Sequence, residues 1–247
     1  IAARSAREAE AQMTMAGSGR QMVLDLPHRP ALGREDFLVT DSNRAAVSAI
    51  EGHAAWPHHA LAIVGPPGSG KSHLIEVWRQ MTGAPRIPAD GLREADVPLL
   101  MREGVLAIDD APGAQLDERA LFHLLNLARQ QQGRVLFASL HRPAAWRVGL
   151  PDLASRLKAV PYAELGPPDD ALLRGVLVKL FADRQLVVEE PAISFLLLRM
   201  QRSLEAAREL VAVIDRRALE QKSAITRSFL GKILAETPPP HGPETED

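Results

Sequence analysis

The run Gly65-Pro66-Pro67-Gly68-Ser69-Gly70-Lys71-Ser72 constrains the fold more than any other stretch of the chain. It satisfies G-x-x-x-x-G-K-[ST] in full, a loop that works only between a buried strand and the start of a helix. Its glycines let backbone N–H groups turn inward around phosphates. Lys71 reaches toward the β- and γ-phosphates, and the Ser72 hydroxyl is a ligand for Mg²⁺. A helix beginning at Lys71 adds its positive end to the same site. The flanks agree with this reading. Residues 61–64 form a short apolar run that reads as a buried strand, and 71–81 read as the helix behind the loop. A glycine-rich turn matching by chance would not carry both flanks.

The same alternation continues along the chain. Residues 105–108 read as a second buried strand ending at Asp109 and Asp110. Asp117 is placed to cap a helix running to about 132, with Leu121, Leu124, Leu125 and Ala128 along one face and Gly133 as its stop. Residues 134–139 give a third strand, 151–158 a short helix and 160–165 a last strand. Asp41 or Ser42 can cap an earlier helix running to about 55. Strands alternating with helices indicate a parallel α/β sheet. After Gly166-Pro167-Pro168 the pattern becomes helical only, over about 169–184, 191–201, 204–222 and 226–236. The expected organisation is a flexible segment over 1–34, an α/β nucleotide-binding domain over 35–166, a helical lid over 167–236 and a proline-rich acidic tail over 237–247.

Composition narrows the possibilities. Aromatic residues are 4% of the chain, so its core is built from aliphatic side chains, which suits helices packed on a parallel sheet. The net charge of −2 argues against a protein whose main task is gripping nucleic-acid phosphates, since that affinity needs an excess of Lys and Arg. The absence of cysteine excludes disulfides and thiolate chemistry and is compatible with a reducing cytoplasm. No apolar run approaches the ~20 residues of a membrane span. Residues 1–12 lack the apolar centre of a secretory signal. Met13 and Met15 are candidates for the natural start, and what precedes them is left out of the fold.

Around the loop, residue chemistry suggests further roles. A carboxylate at Asp109, ending a strand beside the loop, can hold Mg²⁺ through water. Asp110 stands where many ATPases place a glutamate that polarises the attacking water. Aspartate is one methylene shorter, so slow intrinsic hydrolysis is expected, and a plain helix cap or surface acid is the competing reading. Arg156, in Pro151-Asp152-Leu153-Ala154-Ser155-Arg156-Leu157, carries the group that stabilises γ-phosphate charge across an interface, a role worth roughly 10³–10⁵ in rate. Spacing alone also allows an ordinary surface arginine.

Taken together, GPPGSGKSHL, AIDDA, PDLASRL and the upstream FLVTDSNRAA resemble the AAA+ module of the bacterial initiator family DnaA, over about 36–236. The likeness is nearer to the Hda-type regulators of that family. Three features point there. The sequence stops after the lid helices, without the initiator's C-terminal helix-turn-helix domain. The stretch 86–104 is short for the initiator's paired insert helices. And Gln21-Met22-Val23-Leu24-Asp25-Leu26-Pro27 resembles a sliding-clamp-binding motif, with Gln21 for a polar subsite and Met22, Leu24, Leu26 and Pro27 along an apolar groove.

The resemblance implies a parallel five-stranded sheet followed by a small all-α lid bundle. It also implies a bacterial, cytoplasmic, replisome-associated protein holding ADP or ATP with Mg²⁺. Its partners would be DnaA and the DNA polymerase III sliding clamp, with DNA contacted weakly or indirectly and homo-oligomers possible. Its task would be to promote ATP hydrolysis by DnaA, with Arg156 acting in trans. The nucleotide would rest on residues 65–72 and His73, with Phe37, Leu38 and Val39 lining the adenine pocket. Ser139 is the sensor 1 candidate, with His141 or Arg142 as substitutes. The sensor 2 position falls on Glu205, with Arg208 three residues on along the same face. Glutamate there would repel a γ-phosphate and favour ADP. Two other readings stay open: an autonomous ATPase of helicase-loader type, and a passive ADP-bound adaptor between DnaA and the clamp. A membrane tether has no amphipathic basic helix or anchor to support it.

Overall fold

A computed structural model describes residues 37–56, 58–221 and 223–236. The proposed clamp motif at 21–27 and the tail at 237–247 lie outside the described residues.

Five strands form one sheet: β1 Ala60–Val64, β2 Arg86–Pro88, β3 Val105–Ala111, β4 Arg134–Ser139 and β5 Tyr162–Glu164. Their order is β2-β3-β4-β1-β5, and every neighbouring pair is parallel. A parallel sheet is covered on both faces, so its central strands read as continuous apolar runs. β1 is the clearest case, with all five residues buried. The helices of this part are α1 Arg44–Glu51, α2 Lys71–Thr82, α3 Val97–Leu100, α4 Glu118–Gln130 and α5 Pro151–Ala159. On one face, Leu61, Ile63, Ala107 and Leu136 pack with Leu74, Ile75, Val77 and Trp78 of α2. On the other, Leu106, Ile108, Val135 and Phe137 pack with Leu121 and Leu124 of α4 and Leu153 and Leu157 of α5. Trp78 and Phe137 are fully buried, and truncating either to Ala should cost about 3–5 kcal/mol. No described helix is long and apolar enough to cross a membrane.

Four more helices follow: α6 Asp170–Asp183, α7 Glu190–Leu197, α8 Leu204–Gln221 and α9 Arg227–Glu236. They share their own apolar cluster, in which Leu173, Leu177, Leu196, Val211, Ile214 and Leu230 are buried. Asp169 caps α6 by accepting the Leu172 N–H at 2.7 Å. Its carboxylate is held below the ordinary aspartate value, chiefly by that bond.

Several local expectations need correction. β2 has no counterpart among the sequence-derived strands. It is three residues long and proline-ended, and it is held by pairing with β3. β3 runs on through Asp109 and Asp110 to Ala111, with a register shift between Ile108 and Ala111. The helix α1 is not capped by Asp41 or Ser42. Asp41 is exposed and pairs with Arg44, and the Ser42 hydroxyl meets that of Thr40. The N-cap position belongs to Asn43, which is buried. Its amide accepts the Thr40 N–H at 2.9 Å and donates to the Leu38 carbonyl at 2.8 Å. At the end of α4, Gln132 rather than Gly133 takes the left-handed conformation, with φ 54°. Gly133 is needed for a different reason: a Cβ there would strike the Gly104 carbonyl. Residues 86–104 hold β2, two single 3₁₀ turns and α3, a helix of four residues.

Candidate functional site

The loop between β1 and α2 places its residues as a phosphate cradle. Gly68 and Gly70 sit at φ 69° and 101°, a region that side chains other than glycine rarely enter. Among the described residues, no acceptor in the chain meets the N–H groups of Gly68, Gly70, Lys71 or Ser72. The first N–H groups of any helix lack intrahelical partners, and here they lie where an anion would sit. Lys71 is buried, and its Nζ donates to the Gly65 and Pro66 carbonyls at 2.8 Å each. Burial holds it below the ordinary lysine value, while Asp109 and Asp110 pull the other way. Among the described residues the buried Ser69 hydroxyl has no partner. The Ser72 hydroxyl, one residue past Lys71, is exposed. These features fit a bound polyphosphate: unused donors, a cation and an orphaned hydroxyl around one loop.

A cavity of about 260 Å³ opens beside the loop, lined by Lys71, Asp110, Pro112, Gly113, Ser139 and His141. Asp109, next to Asp110 in β3, is 3% exposed and on the face that α2 covers, since Ala107 two residues earlier packs there. Its Oδ1 accepts the Asp110 N–H at 3.0 Å, and its Oδ2 accepts from Arg86 of β2. Asp110 is exposed, in a left-handed conformation of φ 54°, and lines the cavity. Among the described residues no group of three His, Asp or Glu side chains could hold a metal. Mg²⁺ at this place would therefore lean on Ser72, Asp109 and the phosphates themselves, the usual arrangement for an ion that keeps most of its water.

Two sensor candidates are sorted by geometry. The Ser139 hydroxyl is buried and committed within the chain. It donates to the His141 carbonyl at 2.7 Å and accepts from the His141 N–H at 3.1 Å and the Trp146 indole at 3.2 Å. Arg142 turns away to Glu164 at 2.7 Å and lies over Tyr162, leaving His141 as the polar side chain that joins Lys71 and Asp110 at the cavity. In the lid, Glu205 is exposed in the first turn of α8. Arg208 is partly buried, and burial pulls it down from the ordinary arginine value against the opposing charge of Glu205. Among the described residues Arg208 has no ion-pair partner, and of the two residues it is the one that burial desolvates.

The lid meets the loop directly. The Leu204 N–H donates to the Gly68 carbonyl at 2.9 Å, and a Cβ on Gly68 would come within 2.6 Å of Ser203. The segment Phe37, Leu38 and Val39 is threaded between the two parts. Phe37 meets the His73 ring edge-on at 4.9 Å, a Cβ on Gly175 of α6 would come within 2.6 Å of Leu38, and Val39 is half exposed. Gly166 N–H donates to the Ser42 carbonyl at 3.0 Å and strengthens the same junction.

Arg156 lies elsewhere. Its guanidinium sits 5.0 Å over the Phe122 ring, on the α4–α5 side of the domain. It lines a separate groove of about 250 Å³ with His58, His59 and Arg129. Among the described residues it has no carboxylate partner. The structure therefore gathers residues 65–73, Asp109, Asp110 and Ser139 around one loop and leaves Arg156 outside it. Arg86 went unnoticed in the sequence. It lies 23 positions from Asp109, and only the register of β2 on β3 joins them.

Comparison with known proteins extends these observations. No family model matches the chain. It is 27% identical over 229 residues to the chromosomal replication initiator protein DnaA of Caulobacter sp. strain K31. That match covers 81% of this chain and 47% of the relative, so the chain spans about half the length of the initiator it resembles. Domain III of the Thermotoga maritima initiation protein DnaA superposes with a TM-score of 0.70 at 20% identity, over 85% of this chain and 98% of that one. AMPPCP-bound DnaA from Aquifex aeolicus gives a TM-score of 0.61 at 20% identity, over 78% and 67% of the two chains. The parallel sheet, the loop that follows β1 and the helices seated on that loop thus share their fold with domain III of the replication initiator DnaA.

Proposed function

We propose that this chain holds an adenine nucleotide on residues 65–73 and acts as a regulator of replication initiation, promoting ATP hydrolysis on DnaA. The observation that carries the reading is the separation of Arg156 from the loop. An arginine that serves its own nucleotide would line the Lys71 cavity. Arg156 instead lines a separate groove, over the Phe122 ring and, among the described residues, without an acidic partner. Such a guanidinium is free to meet phosphate charge presented by a second protein. The AMPPCP bound by the Aquifex aeolicus relative supports adenine nucleotide as the ligand of the loop.

The chain's own turnover is slow in this reading. Asp110 is the short carboxylate at the water-polarising position, and its left-handed backbone sets the direction of a side chain that already lacks reach. The nucleotide then serves to fix the lid against the sheet domain, with Lys71 and the loop N–H groups on the phosphates and Arg208 approaching from α8. Mg²⁺ would supply charge neutralisation at the phosphates, with Ser72 to hold it and Asp109 shared with Arg86. Residues 21–27 bring the chain to the sliding clamp, in the cytoplasm and at the replisome, and DNA is met through that clamp.

Omission of single components tests the reading. DnaA preloaded with γ-labelled ATP should release label quickly only with this chain and DNA-loaded clamp both present. Label release that ignores this chain, alongside rapid hydrolysis by the chain alone, would move the assignment to an autonomous ATPase. For the clamp segment, Gln21→Ala combined with Leu24→Ala should abolish retention on immobilised clamp while leaving the melting temperature unchanged. Retention at the original level would remove the segment from the account.

A further inference from the structure

The carboxylate expected to help hold Mg²⁺ already has a cation. Asp109 Oδ2 accepts a hydrogen bond from Arg86, and its Oδ1 is occupied by the Asp110 N–H at 3.0 Å. The Asp109 side chain is 4% exposed and that of Arg86 39%, so the pair sits at the rim of the core with its acidic end inside. The register explains the contact. Arg86, the first residue of β2, is opposite Ala107, and Pro88 is opposite Asp109, so Arg86 stands two positions from Asp109 across the strand pair. Lys71 is near enough to Asp109 and Asp110 for their charges to act on it. Asp109 therefore has Arg86 bound to it and a second positive group in its neighbourhood.

A guanidinium stays charged at every accessible pH and forms strong bonds to carboxylates. Paired this way, Asp109 no longer offers the uncompensated negative charge that attracts a divalent ion, and the cation beside it opposes one. We propose that Arg86 is a resident counter-ion of Asp109 that replaces part of the magnesium contribution, so that the loop holds its nucleotide with little dependence on Mg²⁺. This rests on the reading of residues 65–73 as a nucleotide site. Arg86 touches no phosphate in this scheme. It acts through Asp109, by setting how much charge that side chain presents.

The test is equilibrium binding of a fluorescent ADP analogue to the full chain, with excess Mg²⁺ and with EDTA, for the unaltered protein, Arg86→Ala and Arg86→Gln. The unaltered chain should lose less than about 3-fold in affinity when Mg²⁺ is removed, and both variants about 10-fold or more. Adding Asp109→Asn to Arg86→Ala should abolish the enhanced magnesium dependence, because the carboxylate that Arg86 masks is then gone. Thermal melting checks that the edge strand survives each change. Equal magnesium dependence in all three proteins, or a loss of 10-fold or more in the unaltered chain, would overturn the inference while leaving the nucleotide site standing. No binding of the analogue under either condition would overturn both.

Discussion

The loop cavity and the Arg156 groove treat their charges in opposite ways. Around the loop, Lys71 and Asp109 are already answered from within the chain, the first by two carbonyls and the second by Arg86 and a backbone N–H. In the groove, Arg156 has an aromatic face beneath it, and histidines and another arginine around it, with no acid in the lining. A cation left unanswered gains most from a charge that arrives with another molecule. In the proposed function the difference corresponds to two jobs, retention of the chain's own nucleotide and action on a partner's.

Substitutions that touch one region and spare the other sharpen the comparison. The largest effect is expected at Arg156. Arg156→Ala should lower stimulated hydrolysis on DnaA by about 10³-fold, in single-turnover assays, while the chain's own ADP affinity stays unchanged. A parallel fall in ADP affinity would break the separation. Next is Lys71→Ala, which should weaken ADP binding by about 100-fold in calorimetric titration, since a buried charged donor to phosphate is lost. The nucleotide-free protein should melt no lower, because the deleted ammonium is held in a desolvated place.

Gly68→Ala should cost about 1–3 kcal/mol, read as up to roughly 100-fold in nucleotide affinity or as lowered melting temperature. It combines a left-handed φ of 69° with Ser203 at 2.6 Å from the new Cβ, so lid seating suffers along with the loop. The smallest effect is in pH dependence. Burial holds Lys71 below the ordinary lysine value, so its proton is lost earlier as pH rises. Phosphate favours the protonated form. Affinity should therefore begin to fall at a pH below the ordinary lysine range, and Lys71→Arg should flatten that fall. Profiles that coincide for the two proteins would contradict it.

Much of the fold was legible because its signals are local. The octapeptide, the apolar run before it and the helix behind it are contiguous, and the lid helices announce themselves by apolar periodicity after Gly166-Pro167-Pro168. What escaped depends on pairing between distant segments. β2 is three residues with a partly exposed pattern, and neither alternation nor length marks it. Asp109 and Asp110 have poor strand propensity, yet β3 carries them because Ala111 pairs with Ser139 beyond them. Asn43 looks like any first-turn residue until burial shows it tying Leu38 and Thr40 together. Spacing placed Glu205 and Arg208 on one face of α8, and exposure then distinguished them. Arg86 gave no signal at all, since an arginine beside a proline in a short edge strand is unremarkable without the register of β2 on β3.

The central claim is that Arg156 serves a nucleotide this chain does not hold. Its most direct test is an electron-microscopy structure of the chain assembled with DnaA and clamp on DNA, with AMPPCP on DnaA. The account predicts the Arg156 guanidinium within hydrogen-bond distance of the γ-phosphate on DnaA, at about 2.7–2.9 Å, with the chain's own loop occupied separately. An assembly in which Arg156 remains over Phe122 and an arginine of DnaA fills that place would contradict it.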